Sequence, residues 1–269
     1  MRAESVENAT VSRARGAGTR FAFGLVERNV VVATKDWLEI ATGVVEPVLY
    51  LLVLGIGLGR YVGEIDGLPG ADAYAAYLAP AMVVTTVMNG SVTEATYSIF
   101  NKMRISGFYA TVVQTSVTPA SIVLGEGLWA TVRGTLYGVV LLAMATACGW
   151  VDPADAMWAV PCLVLIAMTF AFAGLAATTF MRSWQDFDYV NVALTSMFVL
   201  SGTFVPVTRY PGWLQEAVSW TPLYQGMVLL RDVAVRPGHP HAAGVVYFVV
   251  LGGLCLMAAT SRFTRILHR

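Results

Sequence analysis

The nearest approach to a catalytic pair in this sequence is the segment RSWQDFDY, where one residue separates Asp186 from Asp188. Two neighbouring carboxylates can share acid–base work, as in membrane enzymes that act on lipids or glycans. Such an enzyme also needs a second cluster of carboxylates, histidines or metal ligands, and this segment has no such companion. The aspartates suit the start of the following helix, where the helix dipole favours negative charge. We therefore predict no catalytic residues and keep a membrane enzyme of lipid or glycan metabolism as the weakest alternative.

The histidines and cysteines do not form a recognisable metal site. His239 and His241 lie close together, but two histidines without a third ligand are weak evidence for a metal. Cys148, Cys162 and Cys255 lie within or at the end of apolar runs and lack the C-x-x-C spacing. We expect these cysteines to be packing residues, with no metal or cofactor on this chain.

The sequence also lacks the loop that binds nucleotide phosphates. The motif G-x-x-x-x-G-K-[ST] is absent, and neither lysine, Lys35 or Lys102, follows a glycine. We therefore expect that this polypeptide does not hydrolyse ATP by that chemistry. The formal net charge of zero gives no indication of a nucleic-acid partner.

The composition predicts an all-α integral membrane protein. Hydrophobic residues make up 57% of the chain and charged residues only 13%, with a mean hydropathy of +0.64. Soluble domains carry about 25% charged residues, and a spanning helix needs about 20 mostly apolar residues. Residues 1–19 show no pattern and are predicted to be a disordered cytoplasmic tail. Residues 41–269 are predicted to form one transmembrane domain with six spans, at 41–59, 76–98, 127–149, 157–180, 187–206 and 243–261.

The positions of lysine and arginine predict the orientation of these spans. Cytoplasmic loops of membrane proteins carry an excess of both residues. Placing both termini in the cytoplasm puts most of the basic residues on that side: Arg2, Arg13, Arg15, Arg20, Arg28, Lys35, Lys102, Arg104, Arg182, Arg262, Arg265 and Arg269. The outer side then holds Arg60, Arg209, Arg231 and Arg236. We therefore predict that both termini are cytoplasmic.

Residues 20–40 are predicted to form an amphipathic helix before the first span. Their apolar residues recur at spacings of three and four, which places them on one helical face: Phe23, Val26, Val30, Ala33, Trp37 and Ile40. Cytoplasmic basic residues and a tryptophan suit a helix that lies in the inner membrane interface. A short helix in a soluble tail is the alternative.

Four ionisable residues, Glu46, Glu94, Glu126 and Arg133, lie at or near membrane depth. A charge at the bilayer centre costs about 2.5–3.5 kcal/mol on insertion scales, so each should face the protein interior, water or a partner. Snorkelling to the inner interface is the alternative. Glu126 and Arg133 share a helical face about 10 Å apart along the axis, so a direct pair would require both side chains to lean together.

The segment NKMRISGFYATVVQTSVTPASIVLGEGLW, which starts at Asn101, follows the second predicted span. It opens with charge, breaks at Gly107, and then places Phe108 and Tyr109 toward the cytosol. We predict a short cytoplasmic helix here. Its aromatic surface favours a cytoplasmic partner, although packing against the amphipathic helix is an alternative.

The segment LSGTFVPVTRYPGWLQEAVSWTPLYQGMVLLR, which starts at Leu200, is too short to cross a bilayer as one helix and too apolar for an ordinary loop. Pro206, Pro211 and Pro222 divide it, and each proline ring can occupy the first turn of a helix without losing a hydrogen bond. Irregular backbone at membrane depth is tolerated where protein or a water-filled cavity satisfies it. A surface loop with a belt of aromatic residues is the alternative.

These features together resemble the permease subunits of type-2 ABC exporters, from about residue 20 onward. The stretches TSVTPASIVLGE and LSGTFVPVTRYPGWLQ…TPLYQGMVLLRD carry the resemblance. They are most similar to the branch of nodulation-factor (lipo-oligosaccharide) exporters and daunorubicin-type drug exporters. The resemblance implies a subunit of an ATP-driven exporter in the bacterial plasma membrane, moving a drug, lipid or glycolipid by alternating access. A membrane channel or scaffold without an ATPase is the alternative.

The resemblance further implies partners for the chain. A separate ATP-binding cassette subunit would bind ATP and Mg, and a second permease copy or paralogue would complete a 2+2 assembly surrounded by membrane lipid. Residues 101–119 would be the coupling helix that sits in a groove of the ATPase. The residues implied for that contact are Arg104, Gly107, Phe108, Tyr109, Thr118, Pro119 and Glu126.

The resemblance also assigns a role to residues 207–232, between the fifth and sixth spans. They would form short re-entrant helices that dip into the outer leaflet and cap the translocation pathway. The residues implied for this cap are Ser201, Gly202, Pro206, Pro211, Trp213, Pro222, Tyr224 and Arg231. Glu46, Glu94 and Arg133 remain the candidate intramembrane charges.

Overall fold

The computed structural model describes residues 24, 26, 27, 29, 37–58, 73–105, 118–234 and 242–267. Over these residues the predicted all-α class is confirmed. The helices are α1 (Trp37–Leu52), α2 (Ala73–Thr93), α3 (Pro119–Ala147), α4 (Pro153–Thr178), α5 (Asp186–Leu200), α6 (Gly212–Ser219), α7 (Pro222–Ala234) and α8 (Ala242–Leu267). π-Helical turns continue α1 over Val53–Leu58 and α2 over Glu94–Ser98 and Asn101–Ile105, and Val207–Arg209 form a 3₁₀ turn.

Four of the described helices are long and apolar enough to cross a membrane: Tyr74–Met103, Pro119–Ala147, Pro153–Thr178 and Ala242–Ile266. They confirm the second, third, fourth and sixth predicted spans. The first predicted span contains a shorter apolar helix, Val45–Gly55. The fifth corresponds to the 15-residue α5. The total of six spans therefore stays a prediction.

Prolines and polar caps set where two of the long helices begin. Thr118 caps α3, because its Oγ1 accepts a hydrogen bond from the backbone N–H of Ser121 at 3.3 Å. Pro119 follows at the first helical position, where a missing N–H costs nothing. Asp152 caps α4 in the same way, accepting from the N–H of Ala154 at 2.8 Å. The third predicted span therefore begins earlier than its apolar run alone indicated.

Asp186 and Asp188 lie in the first turn of α5, as predicted from the helix dipole. The Asp186 carboxylate also closes the preceding turn, since its Oδ2 accepts from the N–H groups of Arg182 at 2.6 Å and Ser183 at 3.1 Å. These bonds, that from Arg182 above all, hold the pKa of Asp186 below its ordinary value. The structure therefore gives this aspartate a structural role at the turn.

The bundle is built around α2 and α4. α2 packs against α3, α4 and α7, and α4 also packs against α3 and α8. Fully buried side chains such as Leu78, Met88, Leu163 and Ile166 fill the space between them. α1 and α5 lie at the edge and expose much of their apolar surface. The space between these two edge helices is the cleft described below.

Close contact between α2 and α3 depends on glycine. A Cβ added at Gly134 would lie 1.9 Å from Ser91 Oγ, and one at Gly138 would lie 2.3 Å from Val87 Cγ2. The two glycines have the G-x-x-x-G spacing that lets helices approach closely. In this chain the motif brings together two helices of the same molecule.

Candidate functional site

A buried ion pair joins α2 and α3 within the bundle. Arg133 Nη1 donates to Glu94 Oε2, and only 8% of the Glu94 side chain is exposed. Trp129 Nε1 donates to the other carboxylate oxygen at 2.9 Å, and Arg133 Nε donates to the Tyr137 hydroxyl at 3.0 Å. The buried charges are therefore paired and hydrogen-bonded, which is the arrangement that offsets their desolvation. Glu94 therefore faces a partner cation, as expected for a charge at membrane depth, and how deep the pair lies in a membrane stays a prediction.

A second buried pair lies nearer the C-terminal end of the continued α2 helix. Lys102 Nζ lies 2.7 Å from Glu126 Oε2, and the Glu126 side chain is 2% exposed. The Asn29 amide donates to the same Glu126 oxygen at 3.2 Å and accepts from Lys102 at 3.3 Å. Asn29 is buried although it lies outside the apolar face predicted for residues 20–40. Glu126 thus pairs with Lys102 whereas Arg133 pairs with Glu94, and the depth of either pair in a membrane stays a prediction.

The two pairs fix the register of α2 against α3. Moving eight residues forward from Glu94 to Lys102 corresponds to moving seven residues back from Arg133 to Glu126. This is the pattern of two antiparallel helices with the same rise per residue. Arg133 lies at the midpoint of α3, about 21 Å from either end. The Glu94–Arg133 pair therefore lies midway along α3.

A cleft of about 710 Å³ lies beside this pair, between α1, α2, α3 and α5. Glu94, Arg133 and Tyr137 form part of its wall, so the ion pair faces the cleft. The other lining residues are Gly43, Glu46, Pro47, Tyr50, Met82, Thr85, Thr86, Asn89, Gly90, Thr93, Asn191, Leu194, Thr195 and Phe198. Its volume lies in the range of pockets that hold drug-sized molecules.

The cleft runs along α2 for about 18 Å, from Met82 to Glu94. α1 runs antiparallel to α2. A Cβ added at Gly43 or at Gly90 of α2 would meet the same Tyr137 ring, at 3.1 and 2.5 Å, and a Cβ at Gly55 would meet Ala75 at 3.4 Å. These contacts place the C-terminal part of α1 beside the start of α2.

α5 is also antiparallel to α2. The rings of Phe187 and Tyr97 lie 4.2 Å apart at one end, and the Tyr77 hydroxyl donates to the Gly202 carbonyl at 2.7 Å near the other. The apolar residues Met82, Tyr50 and Phe198 therefore come together at one end of the cleft. Polar groups line its middle and its Glu94 end.

A separate contact holds α7 against the start of α2. The Arg231 guanidinium lies 4.1 Å from the centre of the Tyr77 ring, and its Nη2 donates to the Tyr77 carbonyl at 3.2 Å. The same tyrosine binds Gly202, whose φ of +75° forms the turn after α5. Tyr77 therefore connects the segment after α5 to the core of the bundle.

Comparison with known proteins identifies the family. The family model described as "ABC-2 type transporter" matches residues 22–235. The chain belongs to the ABC-2 type transporter family. ABC-2 chains are the membrane permease components of transporters and normally work with an ATP-binding cassette subunit. The resemblance seen in the sequence is therefore confirmed, and the chain is a multi-pass membrane permease.

Individual ABC-2 relatives match over most of their length. The chain is 31% identical to Nodulation protein J of Rhizobium meliloti (strain 1021) over 227 residues, which cover 83% of each protein. It is 30% identical to Nodulation protein J of Rhizobium leguminosarum bv. trifolii over 83% of this chain and 86% of the relative. It is 24% identical to Inner membrane transport permease YadH of Escherichia coli (strain K12), over 71% of this chain and 69% of that protein.

The predicted ABC-2 coupling residues fall in three places. Gly107, Phe108 and Tyr109 lie outside the described residues, as does the side chain of Arg104. Thr118 and Pro119 are the cap and first residue of α3. Glu126 is buried against Lys102, within the permease itself. The coupling contact stays a prediction.

The predicted cap residues surround the broken segment between α5 and α7. Ser201 is buried, and its hydroxyl donates to the Phe198 carbonyl at 3.1 Å. Pro211 precedes α6, and Pro222 is the first residue of α7. Pro206 directly precedes the 3₁₀ turn. The side chain of Trp213 is 74% exposed, and that of Tyr224 is half-buried. The helix breaks occur where the prolines predict them, and the depth of the segment in a membrane stays a prediction.

The sequence interpretation missed three parts of this site. These are the partners of the buried acids, the role of Asn29, and the polar side chains of α5 in the cleft. The sequence did contain a signal for the partners of the buried acids. Glu94 and Lys102 are eight residues apart on one helix, and Glu126 and Arg133 are seven apart on the next, so two antiparallel helices can form both pairs at once. Asn191 and Thr195 follow one helical face of α5, and polar residues at membrane depth indicate a wet surface.

Proposed function

We propose that this chain is the transmembrane permease subunit of an ATP-driven exporter for a hydrophobic or amphipathic molecule, such as a drug, a lipid or a glycolipid. The observation that carries the proposal is the cleft between α1, α2, α3 and α5 in a chain of the ABC-2 type transporter family. The cleft has the size of a small-molecule site and combines an apolar end with polar walls.

The cleft suits a substrate that is apolar at one end and polar at the other. Tyr50, Met82 and Phe198 offer an apolar surface, whereas Asn89 and Asn191 offer amide groups. α1 and α5 expose apolar surface on either side of the cleft, including Val53 and Val192. A lipid-like tail can lie along such a surface while its head group stays in the polar part.

Energy for transport would come from a separate ATP-binding cassette subunit, which binds ATP and Mg. Residues 101–119 would act as the coupling helix, and a 2+2 assembly with a second permease would enclose the pathway. ATP binding would bring the ATPases together and push on the coupling helices, so that the permeases part on one side of the membrane. Lys102, in the first turn of this segment, pairs with Glu126 of α3, and this buried contact would carry the movement into α3.

We also propose that the chain lies in the bacterial plasma membrane with both termini in the cytoplasm. Residues 207–232 would then lie on the outer side as re-entrant helices over the pathway. The proposal is supported by the distribution of basic residues and by the break of this segment into α6 and α7. The contact of Arg231 with Tyr77 would hold the closed cap to the second span.

The alternative is a channel or scaffold that needs no ATPase, and it predicts that no ATPase accompanies the chain. The two proposals differ in the partner that accompanies the chain. The test is to express the chain with its genomic neighbours, purify it in mild detergent, and identify the bound proteins by mass spectrometry. A stoichiometric partner with a phosphate-binding loop, and ATP-dependent substrate export from cells, are expected. An intact, folded chain that reproducibly carries no ATPase would contradict the exporter proposal.

A further inference from the structure

Glu46 is an acid on the wall of the cleft that is not neutralised by another described residue. It is exposed, and it makes no hydrogen bond or ion pair with the part of the chain that the structure describes. The neighbouring acid Glu94 is different, because Arg133 and Trp129 satisfy its carboxylate. Among the described cleft residues, two carboxylates therefore face one guanidinium, and Glu46 supplies the excess negative charge.

The position of Glu46 places this charge in the polar part of the cleft. Gly43 and Gly90 of α2 approach the same Tyr137 ring, and Gly55 lies beside Ala75, so Glu46 is beside the middle of α2, near Thr86. Asn89 from α2, with Asn191 and Thr195 from α5, line the same cleft. The acid is thus accompanied by neutral groups that both donate and accept hydrogen bonds.

Electrostatic interaction with Glu46 favours a positively charged head group on a bound substrate. An isolated carboxylate at membrane depth is costly unless water or a cation accompanies it. A cationic head group in this position would gain the attraction of Glu46, and an anionic head group would meet repulsion in a medium of reduced dielectric constant. Arg133 does not reverse this preference, because Glu94 already balances its charge.

We propose that the cleft selects amphipathic substrates with a cationic, hydrogen-bonding head group, and that Glu46 determines this selectivity. An amine carried on a hydroxyl-rich group is the chemistry that fits best, with its apolar tail toward Tyr50, Met82 and Phe198. This inference rests on the proposed export function and specifies the substrate class for the same cleft.

The test uses the full chain with its ATPase partner in phosphatidylcholine nanodiscs. Three fluorescent probes share one dodecyl chain and fluorophore and end in a primary ammonium, a hydroxyl or a sulfonate group. Dissociation constants are measured by fluorescence titration, with empty nanodiscs to subtract partition into lipid. The ammonium probe should bind roughly tenfold more tightly than the hydroxyl probe, which is the size of one charge-assisted hydrogen bond. The sulfonate probe should bind most weakly.

Substitutions then locate the preference. Glu46→Gln should abolish the preference for the cationic probe without weakening the hydroxyl probe, whereas Glu46→Asp should retain it. Asp155→Asn, which removes one carboxylate from the first turn of α4 outside the cleft, should leave all three affinities unchanged. Equal affinities for the three probes, absence of saturable binding, or an unchanged preference in Glu46→Gln would overturn the inference.

A transport measurement separates this inference from the function on which it rests. The same complex in liposomes is supplied with ATP, and export of each probe is followed. ATP-dependent movement of the hydroxyl probe without a cationic preference would remove the charge selectivity and leave the exporter proposal in place. A cationic preference in binding with no ATP-dependent movement of any probe would support the site and contradict the exporter proposal.

Discussion

Arg133, at the midpoint of α3, forms a buried ion pair with Glu94, which lies 39 residues earlier at the end of α2. Lys102 and Glu126 form a second pair in the same antiparallel register. Each helix carries one acid and one base, so a slip of about two turns in either direction would bring like charges together. Buried charges of this kind add little net stability, but they can specify one register among several. We infer that the two pairs fix the packing of α2 against α3.

The first prediction concerns the Glu94–Arg133 pair. Arg133→Met removes the cation and leaves the Glu94 carboxylate buried, which typically costs about 3–5 kcal/mol. For a chain of this size, the midpoint of thermal unfolding in detergent should fall by about 10 °C. The double variant Glu94→Gln with Arg133→Met should recover part of the loss, because no buried charge is left unpaired.

The matched control is Arg209→Met, since Arg209 is exposed and its loss should change the midpoint by only about 1 °C. An equal fall in the single and double variants would show that the loss comes from packing and not from an unpaired charge. An unchanged midpoint in Arg133→Met would contradict the ion pair itself.

The sequence predicted the parts of the fold that depend on local signals. Apolar runs located the four long helices, and the prolines at 206, 211 and 222 marked the breaks between α5 and α7. The start of α3 was missed by several residues although Thr118 and Pro119 form a standard start signal. An apolar run measures only the membrane-embedded part of a helix, and α3 continues beyond it.

The candidate site was harder to predict, because its members are distant in the sequence. Glu94 was recognised as an intramembrane charge, but its partner depends on which helices are neighbours. The hydrophobic pattern of a membrane helix does not determine which other helices it packs against, because every face of the helix is apolar enough to pack. The burial of Asn29 against Lys102 and Glu126 shows the same limit. A polar residue outside the apolar face of a helix becomes buried only when another polar group is there to bind it.

The second prediction tests the close approach of α2 and α3. Gly134→Ala would place a methyl group 1.9 Å from Ser91 Oγ and 2.9 Å from the Val87 carbonyl oxygen. Because the second neighbour is backbone, the helices must move apart, and we expect a loss of about 1–3 kcal/mol. Thermal unfolding of the purified variant measures this loss.

Gly253→Ala is the control for helix propensity. Gly253 lies in α8 with nothing within 4 Å of an added Cβ, so alanine should be neutral or stabilising by up to about 1 kcal/mol. Adding Ser91→Gly to Gly134→Ala should restore part of the stability by removing the nearer contact. If Gly134→Ala and Gly253→Ala behave alike, the close packing at Gly134 is not required.

The third prediction concerns orientation. Cys148 is exposed at the end of α3, so the three native cysteines are first replaced by alanine to remove the background. Trp213→Cys should then react with a membrane-impermeant maleimide added to intact cells, because Trp213 is 74% exposed and lies on the predicted outer side.

Gln185→Cys is the matched position on the predicted cytoplasmic side, where Gln185 precedes α5 and is exposed. It should react only after the cells are opened. The reverse pattern, with Gln185→Cys labelled in intact cells and Trp213→Cys protected, would invert the proposed topology.

The last prediction tests the coupling helix. Phe108 and Tyr109 are the aromatic residues that the sequence places toward the cytosol, and an apolar contact with an ATPase groove would depend on them. Changing both to alanine should abolish co-purification of the ATPase while leaving membrane insertion intact. Trp158→Ala is the control, because Trp158 is 73% exposed near the start of α4, at the predicted outer end. Unchanged ATPase association in the double variant, or equal loss in Trp158→Ala, would remove these two residues from the coupling contact. The Lys102–Glu126 pair would then be the next place to look for the connection between ATPase and bundle, since among the described ion pairs it is the one closest in sequence to Phe108.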